Sequence, residues 1–259
     1  MGYDPEEVIR SYTANAERED QAEKGRSLRT AIPREYIRRY IRSSDHVLDA
    51  GGGTGANAIM MAQGGASVTL LDITPQILEL ARWNIHDAGL QDRIDVVEGD
   101  ICDLGAFGGG RFSLVVCVGD ALSYVLDRRA QAIQELVRVA RHGATLILGT
   151  DSKYGFLRLR LAQGKLAEAR EILRTGETYC GMGPRSHLYT VNEMSSLLED
   201  NGCQLLEVAS TPSLSDTIDV APYVESGQWE ALKELELEIG STPELLGTGL
   251  HLLFVARKE

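Results

Sequence analysis

Three acidic residues follow short apolar runs at similar intervals: Asp49 after Val47-Leu48, Asp72 after Leu70-Leu71, and Asp100 shortly after Val96-Val97. Between the first two lies Gly51-Gly52-Gly53-Thr54-Gly55-Ala56. Glycines at such a place allow a tight turn and let the backbone come close to a ligand. The string Gly51-x-Gly53-x-x-Ala56 also satisfies a permissive dinucleotide fingerprint, so the glycines leave the ligand open. Asp49, two residues ahead of the first glycine, discriminates. A carboxylate there repels a pyrophosphate and suits an ammonium group.

The cofactor that presents an ammonium group at such a loop is S-adenosylmethionine. Asp72, 21 residues after Gly51, is placed to accept hydrogen bonds from both ribose hydroxyls, a role it could equally play for NAD. Asp100 is placed to accept a hydrogen bond from the adenine amine, with Ile73 and Ile101 sandwiching the ring. Methyl transfer from this cofactor is an in-line displacement with a neutral thioether as leaving group. It asks the protein to align a nucleophile, exclude water and at times remove a proton. No Ser-His-Asp or Cys-His arrangement is evident.

The expected substrate-facing residues lie in Val118-Gly119-Asp120-Ala121-Leu122-Ser123-Tyr124, where Asp120 and Tyr124 could orient or deprotonate an acceptor. The structural alternatives are that Asp120 caps the following turn and that Tyr124 packs against the sheet. Among five histidines, His142 at a helix end, His86 on a polar face, His46 at a strand start and His251 within the last strand read as structural. His187, in Arg185-Ser-His-Leu-Tyr189, is the candidate general base, and Arg185 either binds a substrate carboxylate or is solvated. No metal is expected, because Asp120 alone is too few ligands.

These residues need a frame to hold them. Asp4-Pro5-Glu6-Glu7 opens an N-terminal helical cap over 1–43, in which Ile32, Tyr36, Ile37, Tyr40 and Ile41 share a face and Arg34, Arg38, Arg39 and Arg42 lie elsewhere on the surface. The pattern then becomes short apolar strands at 46–50, 67–72, 94–98, 112–118 and 144–150, alternating with amphipathic helices. Such alternation implies a parallel sheet covered on both faces, doubly wound and Rossmann-like. Helical insertions are expected at 152–188 and 211–247. Between them, the capping box Thr190-Val-Asn-Glu193 opens a helix, followed by a strand at 204–209; a last strand spans 249–257. The insertions form either a lid over the substrate or an interface, and a homodimer is allowed.

The chain of 259 residues has 26 basic and 38 acidic residues, a formal charge of −12. Such a surface disfavours general binding to nucleic acid or anionic membranes. No run reaches the roughly 18 apolar residues of a membrane span, the start is unlike a signal peptide, and a cytoplasmic single-domain protein is expected. Cys102, Cys117, Cys180 and Cys203 are scattered without CxxC spacing and read as reduced thiols.

In VLDAGGGTG (47–55), the Leu70-Leu71-Asp72-Ile73 run, EGDI (98–101), RFSLVVCVGDALSYV (111–125) and YTVNEMSSLLEDNGC (189–203), the sequence resembles the class I S-adenosylmethionine-dependent methyltransferases, small-molecule type. The resemblance implies a seven-stranded sheet whose last strand is antiparallel. It also implies a cofactor site lined by Asp49, Gly51, Gly53, Asp72, Ile73, Asp100, Ile101 and Val118. Gly55 joins them through the glycine loop, and Tyr12 through an N-terminal helix that covers the methionine end. The function expected is methyl transfer to O or N of a small-molecule metabolite. The alternatives are a tRNA-modifying methyltransferase, with the Arg34–Arg42 cluster on phosphate; an NAD-dependent oxidoreductase; and a non-catalytic cofactor-binding protein.

Overall fold

The structure is a computed structural model and describes residues 2–179, 181 and 183–259. Cys180, read above as a reduced thiol, lies outside the described residues, as does Met182 of the glycine-rich turn that follows it. Cys102, Cys117 and Cys203 are buried free thiols.

The chain enters through α1 (Pro5–Ala14), capped by the Asp4 carboxylate, then α2 (Ala16–Lys24), and α3 (Leu28–Tyr40), capped by the Ser27 hydroxyl. The sheet begins with β1 (His46–Ala50), α4 (Ala56–Gln63), β2 (Ser67–Asp72), α5 (Pro75–Asp87) and β3 (Ile94–Glu98). It continues with β4 (Phe112–Cys117), the single turn α6 (Ala121–Tyr124), α7 (Arg129–Val139) and β5 (Ala140–Asp151). The first insertion holds α8 (Lys153–Ala162), α9 (Leu166–Thr175) and a hairpin of β6 (Glu177–Tyr179) and β7 (Arg185–His187). Then come α10 (Val191–Asp200), β8 (Cys203–Ser210), the second insertion with α11 (Ala221–Glu225) and α12 (Trp229–Ile239), and β9 (His251–Lys258).

The seven-stranded sheet runs β3-β2-β1-β4-β5-β9-β8, with β9 antiparallel to both its neighbours and the other pairs parallel. β1 and β4 lie at the centre, and their side chains alternate between two cores. Leu48, Val115 and Leu148 pack with Ile133 and Leu136 of α7, whereas Val47, Val116 and Ile147 pack with Ile32 and Ile37 of α3 and with Leu78 of α5. Each such fully buried aliphatic side chain contributes roughly 1.5–3 kcal/mol. Reversal of strand order occurs between β1 and β4, so the loops after them diverge and leave a crevice at the carboxyl edge. No helix of the described residues is long and apolar enough to cross a membrane.

The insertions are helical as expected, with the addition of the short β6–β7 hairpin. No period-two apolar run marks it; β6 is only Glu177-Thr178-Tyr179. β5 starts at Ala140 rather than 144, because Phe112 pairs with Ala140 ahead of a register shift in the β4–β5 ladder.

Candidate functional site

At the crevice lies a cavity of about 430 Å³. Its floor is the loop between β1 and α4, where Gly51 (φ 67°) and Gly53 (φ 57°) adopt left-handed backbone that favours glycine. Both are also hemmed in: a Cβ on Gly51 would lie 2.6 Å from the Ala121 Cβ, and one on Gly53 would collide with Glu23 Oε1. At the end of β2, Asp72 accepts from the Gly53 and Thr74 N–H groups at 3.1 and 2.9 Å. Beyond β3, Asp100 Oδ1 accepts from the Cys102 N–H at 2.8 Å and Oδ2 from the Tyr3 hydroxyl at 3.0 Å. Ile73, Ile101 and Val118 also line the cavity.

Asp49 and Gly55 stand just behind this lining. Asp49 is buried, and its Oδ2 takes no hydrogen bond. Burial, then the charges of Glu23 and Asp72, push its carboxyl up to about 7. Gly55 starts α4 and packs against Leu70, Ala81 and Ile85, joining helix to sheet rather than meeting the cavity.

The N-terminal helices roof the site. Tyr12 on α1 donates its hydroxyl to that of Tyr124 at 3.1 Å, their rings edge-on at 5.8 Å. Glu23 on α2 reaches into the glycine loop, accepting from the Thr54 N–H and hydroxyl, each at 3.0 Å, and from the Ala56 N–H at 3.3 Å. It thereby satisfies free N–H groups at the start of α4 from outside that helix. Burial pushes Glu23 up to about 7 as well, against the pull of those hydrogen bonds. Tyr3, Glu19 and Glu23 all line the cavity and were not foreseen from the sequence. For Glu19 and Glu23 the signal lay in α2 itself, Ala16–Lys24, an acidic helix with no buried apolar residue and thus no apolar stripe to draw it to the core.

Asp120 and Tyr124 meet at the other end. Asp120 Oδ2 receives Arg29 Nη2 at 2.8 Å and the Tyr124 hydroxyl at 3.3 Å. Its side chain does not cap α6, so the turn-capping alternative is not realised. Burial opposes ionisation of Asp120, but Arg29, His251 and the Tyr124 hydroxyl together hold it below the usual carboxylate range. Tyr124 both packs in the core and lines the cavity. On the side away from Arg29, His251 Nδ1 lies 3.5 Å from Asp120 Oδ1 and 3.2 Å from Asp151 Oδ1. Burial, then the Asp120 charge, raise Asp151.

His187 is not brought to this cavity. Its Nε2 lies 2.8 Å from Glu193 Oε1, which also accepts from Arg129 at 3.0 Å, and its ring stands edge-on to Tyr189. Arg185 pairs with Glu177 across the hairpin. Of the arginines on α3, Arg34 lines the cavity and bonds the Glu23 carbonyl and Asn57, while Arg38 pairs with Glu35 and Arg39 with Glu207.

The fit to a ligand follows from the charges. Glu19, Glu23, Asp49 and Asp72 surround the glycine loop, with one buried oxygen unpaired, and call for a positive group between them. Asp72 and Asp100 follow the adjacent strands β2 and β3, where the Gly99 N–H bonds the Asp72 carbonyl at 3.0 Å, and each is an acceptor for hydroxyl or amine donors. S-adenosylmethionine carries an ammonium, a sulfonium, a ribose and an adenine amine, and so matches the set.

A family model described as a methyltransferase domain matches residues 47–143. The chain is 32% identical over 133 residues to a catechol O-methyltransferase of Mycobacterium tuberculosis, covering 50% of this chain and 57% of that one. It is 26% identical over 214 residues to a tRNA 5-carboxymethoxyuridine methyltransferase of Escherichia coli O157:H7, covering 82% and 79%. Several other curated relatives are matched over less than half of their length. A solved SAM-dependent methyltransferase from Methanosarcina mazei superposes with a TM-score of 0.62 at 21% identity, covering 86% of this chain and 96% of that one.

Proposed function

We propose, from the methyltransferase domain matched over residues 47–143 and from the fold, that the chain is a class I S-adenosylmethionine-dependent methyltransferase that moves a methyl group to an oxygen or nitrogen of a small-molecule acceptor. The observation that carries this reading is the acid-lined cavity between the glycine loop, Asp72 and Asp100, roofed by Tyr3, Tyr12 and Glu23. When bound, the cofactor supplies the activated methyl group. Asp72 holds the ribose end and Asp100 the adenine end, while Asp49, Glu19 and Glu23 favour the cationic end electrostatically. The helical roof keeps out water, which competes as a nucleophile.

Acceptor alignment falls to Asp120 and Tyr124. The Tyr12–Tyr124–Asp120–Arg29 chain of polar contacts fixes the Tyr124 hydroxyl at the cavity wall. Held ionised by Arg29, Asp120 can accept a hydrogen bond from an acceptor O–H or N–H and so orient it. Calorimetric titration with S-adenosylmethionine, S-adenosylhomocysteine and NADH tests the cofactor. Micromolar binding of the first two alone supports the reading; binding of NADH alone overturns it. A screen of metabolites with methyl-labelled cofactor then seeks the acceptor.

A second reading is methylation of a tRNA carboxylate, favoured by the long match to the tRNA enzyme and by Arg26, Arg29 and Arg34 on the cavity wall. The net charge of −12 weighs against a polyanionic acceptor. Including unmodified and carboxymethoxylated tRNA in the same screen decides between them.

A further inference from the structure

The two oxygens of Asp120 have different surroundings. Oδ2 is engaged by Arg29 and Tyr124. Oδ1 is buried and receives no well-aligned hydrogen bond, and the same is true of Asp151 Oδ1, whereas Asp151 Oδ2 accepts from the Ser186 hydroxyl at 2.5 Å. Between the two unpartnered oxygens lies His251 Nδ1. Asp120, Asp151 and His251 thus offer three donor atoms within 4.8 Å of one another, from the loop after β4, the end of β5 and the start of β9. Asp151 is fully buried and His251 nearly so, and Asp120 opens the group toward the cavity.

Charge and geometry both ask for a cation here. Two carboxylates face one guanidinium in a desolvated place, and the second negative charge is costly there unless a proton or a cation joins it. His251 Nδ1 gives neither Oδ1 an aligned N–H, so both oxygens are left open toward the same point. Octahedral coordination with bonds near 2.1 Å sets neighbouring donors about 3 Å apart. The separations of 3.2 and 3.5 Å from His251 Nδ1 to the two oxygens are within a few tenths of an ångström of that spacing. Two carboxylates and one imidazole suit a divalent cation that takes oxygen ligands and tolerates nitrogen, as Mn²⁺ does.

We propose that Asp120, Asp151 and His251 form a divalent-cation site at the edge of the cavity, with its remaining coordination positions available to water or to an oxygen of the acceptor. Cation binding stands on these residues alone; the role in seating the acceptor rests on the methyl-transfer reading. Through its two oxygens, Asp120 would couple the cation to Tyr124 and Arg29.

The test is a titration of the chelator-treated full chain with Mn²⁺ alone at neutral pH, following loss of the free-ion electron paramagnetic resonance signal. A single saturable site is expected in the wild type, lost in Asp151→Asn. His251→Gln should weaken it by at least the roughly 10- to 100-fold typical of disturbed ligand shells. Far-UV circular dichroism and melting curves establish that each variant folds; should Asp151→Asn fail, His251→Gln carries the test. Absence of saturable binding to the wild type, or binding that the folded variants leave unchanged, overturns the site. Mn²⁺ binding without any S-adenosylmethionine binding would uphold the cation site and sink the methyl-transfer reading; the converse result would do the opposite.

Discussion

Asp72 spends both of its oxygens on backbone N–H groups, those of Gly53 and Thr74, so it shapes the glycine loop as well as presenting charge to a ligand. Asp72→Asn removes the charge and keeps one of the two acceptors, leaving the other N–H opposite an amide N–H. Cofactor affinity should fall by about 1.5–3 kcal/mol, roughly 10- to 150-fold, and the melting temperature by a few degrees for the lost hydrogen bond; equal affinity by calorimetry would remove Asp72 from the site. The neighbouring acids predict a pH dependence. Asp49 and Glu23 sit near 7, above the ordinary carboxylate range, with Glu19, Asp72 and Arg34 as their charged surroundings. The folded protein therefore holds protons that the unfolded chain releases, and loses stability as pH rises from about 4 to 7. A cationic ligand reverses the preference by favouring the ionised acids. Binding should expel protons, and affinity should climb between about pH 5 and 7, then decline above about 8 as the ligand's own α-amino group deprotonates. Calorimetry in buffers of differing ionisation enthalpy reads the protons directly, and a flat profile would refute the assignment. Asp72 and Asp100 were legible because a strand that ends in an acid is a local pattern. Glu23 was not, since its partners Thr54 and Ala56 are more than thirty residues away and α2 carries no pattern that points to them.

Elements, rather than single residues, explain why His187 misled. Its sequence position just before a capping box does bring the chain back toward the sheet edge, as expected, and Thr190 does cap α10 through the Glu193 N–H. What the sequence does not display is the β6–β7 hairpin, which turns His187 toward Glu193 and Arg129. The imidazole thus joins the hairpin to α10 and α7. His187→Ala should leave cofactor affinity and methyl transfer unchanged while lowering stability by about 1.5 kcal/mol, the value of a hydrogen bond to a charged group, for a melting temperature lower by roughly 3–6 °C. Lost transfer with an intact melting curve would restore His187 as a base. The alternation of strands and helices was, by contrast, plain from residue 46 to 150, because each apolar run packs on helices adjacent in sequence. His251 hid for the opposite reason: in the chain it is one residue of an apolar strand, and only the antiparallel pairing of β9 with β5 sets it opposite Asp151.

At the scale of the molecule, the sheet and its roof make unequal contributions to folding and to binding. α1 buries one apolar residue, Val8, and α2 buries none, so the first 24 residues add little to either core. Yet they furnish Tyr3, Tyr12, Glu19 and Glu23 to the cavity. Stability and ligand affinity should therefore separate on removing residues 2–24. The shortened chain should retain its far-UV spectrum and lose only a few degrees of melting temperature, about what one buried valine contributes. The intact chain, at ligand concentrations about a hundredfold above Kd, gains about 2.7 kcal/mol, a rise of roughly 5–10 °C for a domain of this size. With the roof gone, Asp72 and Asp100 remain but face open water, where each charged contact is worth less. The same ligand concentration should then give little or no rise. A truncated chain that still showed the full rise would mean that the helices merely rest on the sheet, and a chain that failed to fold would make the Glu23–Thr54 contact a condition of the glycine loop itself.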